Sequence, residues 1–462
     1  MNAPTLDDVL SPPPGSAMWQ PDFLFGAGTA AYQIEGAVAA DGRLPCIWDT
    51  FAARPGAVRN GETAAVACDH YRLWQQDIDL AAGLGLDAYR LSISWSRVLR
   101  EDGTPNPAGI DFYERVLDRL AHHGVKAFVT LYHWDLPQHI QDRGGWLNRD
   151  TGRRLADFAD LASRRFGDRV ATWATLNEPW CAAFLGHGSG LHAPGMADTR
   201  YAVEAMHHLL LGHGHAMAAL RANGAQRVGL VTNVTAVSAD SPSPADQHAV
   251  RLARACYNQW VMDPLLLGSY PEELQELWPG VRPIVHDGDM QVIASTMDFI
   301  GINYYFRANV RSDGAHGYTD KGLDRVERTL MGWEVYPAGL RDVLIGFKGR
   351  YPTLPPVYIT ENGMASDDVV ADGRVDDAQR VRYLQRHLVA IDQALHAGVD
   401  VQGYFAWSLL DNFEWSEGYA KRFGLVHVDY ATQARTPKDS ALALKAFLER
   451  RRAQGVISGR SS

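Results

Sequence analysis

The strongest constraint on this chain is an alternation. Eight short apolar runs, rich in β-branched and aromatic residues, are separated by longer stretches with helical spacing. The runs are FLFGAGTA near residue 23, AYRLSISW near 88, KAFVTLYHW near 126, ATWATLNE near 171, RVGLVTNVT near 227, DFIGINYY near 298, PVYITENG near 356 and VQGYFAWSL near 401. Between them, segments such as GIDFYERVLDRLAHHG from Gly109 and DDAQRVRYLQRHLVAIDQALHAG from Asp376 repeat apolar residues at intervals of three and four and end in Gly. Strands bridged by helices form βα units on a parallel sheet, and eight of them predict a single α/β (β/α)8 barrel with its active site at the C-terminal ends of the strands.

At 462 residues the chain exceeds the usual single-domain length, so two or three domains would be the default without that alternation. No second-domain linker is evident. The Pro-rich pieces near 241–244 and 352–356 are short and fall where barrel loops would lie. The reading is therefore a flexible segment over 1–17, a barrel over 18–452 and a flexible tail over 453–462, since both ends lack apolar periodicity. No GxGxxG follows the first run and no Walker A sequence occurs, which leaves a dinucleotide-binding sheet without support.

Charge and composition narrow the partners. A formal net charge of -10 disfavours nucleic acid and anionic membranes. No apolar stretch is long enough to span a bilayer, and the start, MNAPTLDDVLSPPPGSAMW, is acidic and Pro-rich where a signal peptide is basic and then apolar, so a cytoplasmic protein is expected. Cys46, Cys68, Cys181 and Cys256 lie far apart and read as buried free thiols. Among the 17 His there is no HExxH, and His207, His208, His213 and His215 lack an i,i+4 ligand pair, so no metal and no cofactor are expected.

In a barrel enzyme, polar and aromatic residues that end an apolar strand are the candidates for chemistry. Here these are Gln33, Glu35, Arg90, His133 with Trp134, Asn177 with Glu178, Asn303 with Tyr305, Glu361 with Asn362, and Trp407 followed by Glu414 and Trp415. Carboxylate, amide and indole together suit a sugar: the polar groups pair with its hydroxyls, and its C–H face lies on an aromatic ring. Hydrolysis of a glycosidic bond needs two carboxyl groups flanking the anomeric carbon, about 5–5.5 Å apart when one is a nucleophile. Glu178 and Glu361 each follow an apolar strand, and closure of the barrel brings the fourth and seventh strands to facing positions. Glu35, beside Gln33, reads instead as a structural partner of a buried group. Trp48, Trp74, Trp173 and Trp260 read as core.

The motifs make the likeness specific. TLNEPW at 175–180 and ITENG at 359–363 resemble the two signatures of glycoside hydrolase family 1, the β-glucosidase family. FLFGAGTAAYQIEGA, YRLSISWSR, LYHWDLP, DFIGINYY, WSLLDNFEW and RFGLVHVD stand in the family's order, so the likeness covers nearly the whole chain. It implies a retaining double displacement on a small β-glycoside, with Glu178 as acid and then base and Glu361 as nucleophile. It further implies that Gln33, His133, Asn177 and Glu414 bind sugar hydroxyls, with Trp407 beneath the ring and Trp415 beside it. Arg90 and Tyr305 support the nucleophile, Asn303 supports the site, and Trp333 resembles the stacking residue of the leaving-group side. Trp134 and Phe423 complete the substrate-contacting set. Two rivals remain. A 6-phospho-β-glycosidase would carry Ser at position 414 and use nearby Lys and Tyr for phosphate, whereas this chain has Glu414, Lys421 and Phe423. A non-catalytic sugar-binding barrel would be expected to have lost one of the two carboxylates.

Overall fold

The computed structural model describes residues 10–314 and 317–458. Eight strands form the barrel: β1 (Leu24–Gly28), β2 (Ala88–Ser92), β3 (Lys126–Tyr132), β4 (Val170–Asn177), β5 (Val228–Ala239), β6 (Phe299–Ser312), β7 (Val357–Asn362) and β8 (Val401–Trp407). Each pairs in parallel with the next, and β8 returns to β1 through Gly26↔Phe405, which closes the barrel. All eight sequence runs coincide with a strand. The two helical patterns fold as Pro107–His122 and Ala378–His396; the first has Pro in its opening turn and buries Ile110, Val116, Leu117 and Leu120 on one face.

One side chain from every strand, Leu24, Ala88, Phe128, Ala174, Val231, Phe299, Tyr358 and Phe405, forms a buried ring that fills the barrel. Aliphatic side chains on β1, β2, β4 and β5 leave room for the rings carried by β3, β6, β7 and β8, so that the closed barrel is filled. Gly26 shows how tight the fit is: a Cβ there would lie 2.5 Å from the Phe405 ring. Because side chains alternate along a strand, the residues two or four positions beyond this ring point into the barrel mouth. Ala88 thus leads to Arg90, Val231 to Asn233, Phe299 to Asn303 and Phe405 to Trp407.

Two strands run further than the apolar runs indicate. β5 and β6 continue past the rim, pairing to Ala239↔Val310, and Tyr318–Asp320 adds an antiparallel strand to β6. The Asn258 amide satisfies the free edge of β5, accepting from the Thr235 N–H and donating to its carbonyl, both at 2.9 Å.

Of the flexible segments expected at 1–17 and 453–462, residues 10–17 are anchored and residues 453–458 continue a helix. Leu10 is fully buried, and the Ser11 backbone exchanges two hydrogen bonds with Gln385. The last helix, Asp439–Ser458, runs past residue 452. An apolar anchor and a backbone-satisfying amide outweigh the Pro-rich composition of the first segment. Residues 1–9 and 459–462 lie outside those described.

A buried ionic cluster ties the loops after β7 and β8 to the last helix. Lys438 donates to Asp368 at 2.5 Å and Asp411 at 2.7 Å, Arg380 pairs with Asp368 and Asp377, and Arg422 with Asp411. All four cysteines are free and buried. Among the described residues, no helix is long and apolar enough to cross a membrane.

Candidate active site

The mouth of the barrel opens into a cavity of about 530 Å³, within the usual size of a small-ligand site. Glu178 and Glu361 both line it and are only 5% and 4% exposed. Two irregularities in the strands set their positions. Ile302 pairs with Ile359 but Asn303 pairs with Glu361, so the extra residue Thr360 forms a bulge that re-aims Glu361. Glu178 leaves β4 with φ of 47°, a left-handed conformation that costs a non-glycine residue about 1–3 kcal/mol and is typical of functional positions. Its amide is held by the Val231 carbonyl at 2.8 Å.

The two carboxyl groups have different surroundings. Glu361 accepts from the Arg90 guanidinium at 2.5 Å on one oxygen and from the Tyr305 hydroxyl at 2.7 Å on the other. These are charge-assisted contacts in a site shielded from water. Glu178 accepts from Asn303 Nδ2 at 2.7 Å and has no cation of its own. Burial first, and the charge of Glu361 second, push its carboxyl up to about 7, against the pull of the Asn303 and Cys181 hydrogen bonds and Arg90. One group is tied to a cation and the other is biased toward its protonated form, the division of labour that acid and nucleophile require.

Asn177 joins the two halves. Its Oδ1 accepts from Arg90 at 2.7 Å and from Asn303 at 3.1 Å, its Nδ2 faces His133 Nε2 at 3.0 Å, and its carbonyl accepts from the Trp134 indole at 2.8 Å. Burial and the Arg90 charge hold His133 well below the usual imidazole range, so the ring is neutral. Its plane lies 22° from those of Trp407 and Trp415, with centroids 6.0 Å away in each case. Glu414 stands among these rings, and burial with the charges of Glu361 and Glu178 raises its carboxyl to about 8. Phe423 and Trp333 pack with Tyr305 and Trp407 along one wall.

The structure therefore gathers His133, Trp134, Asn177, Glu178, Asn303, Tyr305, Trp333, Glu361, Trp407, Glu414, Trp415 and Phe423 around one cavity. Two expected members stand behind its wall. Arg90 is buried beneath Glu361. Gln33 is fully buried, its Nε2 donating to Asn412 Oδ1 at 3.1 Å and the Phe413 carbonyl at 3.0 Å and its Oε1 unpaired, so it braces the loop that carries Glu414. Glu35 is held by Arg97 at 2.8 Å and by the Tyr113 hydroxyl, away from the cavity. The four helix histidines have separate partners: His207 pairs with Tyr270 and Asp289, His208 with the Trp146 carbonyl, and His213 with Thr175. His215 lies on the same helix with no part in a ligand group, since no cluster of three or more His, Cys, Asp or Glu able to hold a metal occurs among the described residues.

Sequence reasoning missed further walls, including Trp180, Cys181 and Asn233. Asn233 could have been found, since it ends the apolar run RVGLVTN as the other site residues end theirs. Trp180 stands inside the TLNEPW motif, but nothing local says that its indole faces the cavity.

A closed parallel barrel whose mouth buries two glutamates among amide and indole side chains defines a carbohydrate-cleaving hydrolase of the carboxylate-pair class. The chain belongs to glycosyl hydrolase family 1, whose sequence profile matches residues 16–453. Beta-glucosidase A of Thermotoga maritima is 45% identical over 90% of this chain and 95% of its own length. A bifunctional beta-D-glucosidase/beta-D-fucosidase of Bifidobacterium breve is 44% identical over 90% of this chain and 95% of its own. In three dimensions, the family 1 β-glucosidase from Thermotoga maritima superposes with a TM-score of 0.91 at 44% identity, covering 94% of this chain and 98% of that one.

Proposed function

We propose that this glycosyl hydrolase is a retaining β-glucosidase that removes one terminal β-linked glucosyl residue at a time from small glycosides, with Glu361 as nucleophile and Glu178 as acid and base. The observation that carries the reading is the contrast between the two carboxyl groups: Glu361 is anchored to Arg90 and Tyr305, while Glu178 is raised to about 7 beside it.

In the first step Glu361 attacks the anomeric carbon as Glu178 passes its proton to the glycosidic oxygen, and the leaving group departs as an alcohol. The glycosyl ester neutralises Glu361, which removes one of the two causes that raise Glu178. Glu178 then takes a proton from water as the water attacks the anomeric carbon, and Glu361 is released. Glu414, His133 and Asn177 hold the sugar hydroxyls, and Trp407 and Trp415 supply the ring contacts. Arg90 supports the nucleophile from below, and Gln33 acts on the outer hydroxyls through Glu414 or by a small movement of its unpaired carbonyl.

The phosphorylated-substrate rival is the weaker reading. A phosphate would meet the carboxyl of Glu414, and Lys421 is already engaged with the Leu330 carbonyl at 2.7 Å. A cytoplasmic enzyme of carbohydrate metabolism, without nucleic-acid or membrane partners, fits the acidic charge. The test is hydrolysis of a chromogenic aryl β-glucoside with NMR of the first sugar released. Initial β-glucose is expected; initial α-glucose, or no turnover of any β-glucoside, would defeat the assignment.

A further inference from the structure

The amide of Asn303 stands between the two halves of the site, and its orientation decides what Glu178 meets. Turned one way it offers an N–H to the carboxyl; turned the other way it offers a carbonyl. The surrounding groups fix the choice. Arg90 carries only donors, so Asn177 Oδ1, 2.7 Å from its guanidinium, must accept. That oxygen lies 3.1 Å from the Asn303 amide, which therefore presents Nδ2 there, and the second hydrogen of the same nitrogen reaches Glu178 at 2.7 Å. Asn303 Oδ1 is left facing the other way. It accepts from the Thr360 hydroxyl at 2.7 Å, its one hydrogen bond among the described residues.

The strand explains how Thr360 comes to stand there. Tyr358 belongs to the buried ring, and Thr360, two residues further along β7, points into the barrel as well, where it borders a cavity of about 10 Å³ with Arg90 and Phe299. The bulge lets its neighbour Glu361 face the mouth too. Adjacent residues of one strand thus serve opposite halves of the site. The Thr360 hydroxyl makes no hydrogen bond to either carboxyl, yet it grips the amide that contacts Glu178. Thr360 and Asn303 are both fully buried, so bulk water does not compete for the bond.

Resting on the reading above, we infer that Thr360 is a positioning residue for the acid: its hydroxyl holds the Asn303 amide with the N–H turned toward Glu178. Without that hydroxyl, Asn303 Oδ1 becomes a buried acceptor with no donor, a costly state. The amide then either turns its carbonyl to Glu178, which suits a protonated carboxyl, or stays in place and donates more weakly, because an amide whose carbonyl accepts no bond is less polarised. Both responses have the same sign: the charged form of Glu178 loses support.

The experiment records the pH profile of kcat/KM for an alkyl β-glucoside, and for 2,4-dinitrophenyl β-glucoside, whose leaving group departs without a proton. The proteins are the parent, Thr360→Val, Thr360→Ser, Asn303→Ala and the double variant Thr360→Val with Asn303→Ala. Valine is chosen over alanine because the small cavity already adjoins Thr360, and a shorter side chain would let a water replace the hydroxyl. For the alkyl glucoside, the alkaline limb of Thr360→Val is expected to move up by about 0.5–1 pH unit. In the Asn303→Ala background the same change should move it no further, since Thr360 acts through that amide. Thr360→Ser keeps the hydroxyl and should keep the parent's limb, whether or not Thr360→Val folds; a displaced limb there overturns the inference. A role confined to shaping the bulge would lower both substrates together and leave the limb in place, and that result overturns it too. A parent that hydrolyses neither substrate defeats the β-glucosidase reading itself.

Discussion

The alkaline limit of activity should belong to Glu178, and Asn303 gives a way to move it. Relative to an ordinary glutamate at 4.5, a carboxyl at about 7 means that the site favours its protonated form by about 3 kcal/mol. Since the protonated acid is the active form for a poor leaving group, kcat/KM for an alkyl β-glucoside should decline as pH rises through about 7. Asn303→Ala removes the donor that stabilises the charged form at 2.7 Å. A hydrogen bond to a charged group is worth about 1.5–3 kcal/mol, so its loss should carry the limb upward by about one pH unit or more, with a lower plateau because Asn177 loses a partner as well. The sign is diagnostic. Glu414, raised to about 8, could also impose an alkaline limit, but Asn303 does not touch it. The assay is the pH profile of kcat/KM in both proteins. A limb that stays where it was would assign it to another group, and one that moves down would refute the reasoning. Because the two carboxyls interact, the apparent values describe the pair.

Three other outcomes follow from the same geometry. Glu361→Gln should abolish turnover of every β-glucoside while circular dichroism and thermal melting stay near those of the parent; near-normal activity would reject the nucleophile. Glu414→Ser should weaken unphosphorylated glucosides by about 0.5–1.5 kcal/mol in kcat/KM for each hydrogen bond lost from the carboxyl, and a gain on a 6-phosphoglucoside exceeding the parent's best substrate would reopen the choice between the rivals. Lys438→Met should cost about 3–5 kcal/mol in urea unfolding, because Asp368 and Asp411 keep their burial but lose their shared cation; a change under 1 kcal/mol would mean that the remaining arginines suffice.

Strand ends were the legible part of the site. Arg90, Asn303 and Trp407 lie an even number of residues beyond the buried ring, so period-two alternation alone directs them into the mouth. The same arithmetic points to Asn233, which was overlooked because a single Asn in VTNVT carries no motif. Glu361 is a different case: the bulge at Thr360 shifts it off the alternating face, and only the two-carboxylate requirement and the ITENG signature identified it. Gln33 reads from the sequence as a sugar contact and not as a brace, since its partners Asn412 and Phe413 lie about 380 residues away in sequence. The upper halves of β5 and β6 are not evident from the sequence because RANVRS offers only two apolar side chains, Ala308 and Val310, which pack in a separate small cluster against the helix Pro244–Arg254. At the amino end, Pro-rich composition concealed Leu10, one buried side chain that outweighs its neighbours' preference for disorder.

The ring of eight side chains that plugs the barrel sets the order of traffic through the enzyme. With the bottom sealed, the described residues leave no back exit. Whatever enters first sits deepest, and the freed glucose cannot depart until the group cut from it has cleared the single opening. Leaving group out, water in and glucose last is therefore the only sequence the vessel permits. The same dead end leads us to expect that accumulated glucose competes with its own precursor, by returning to the pocket it has just vacated.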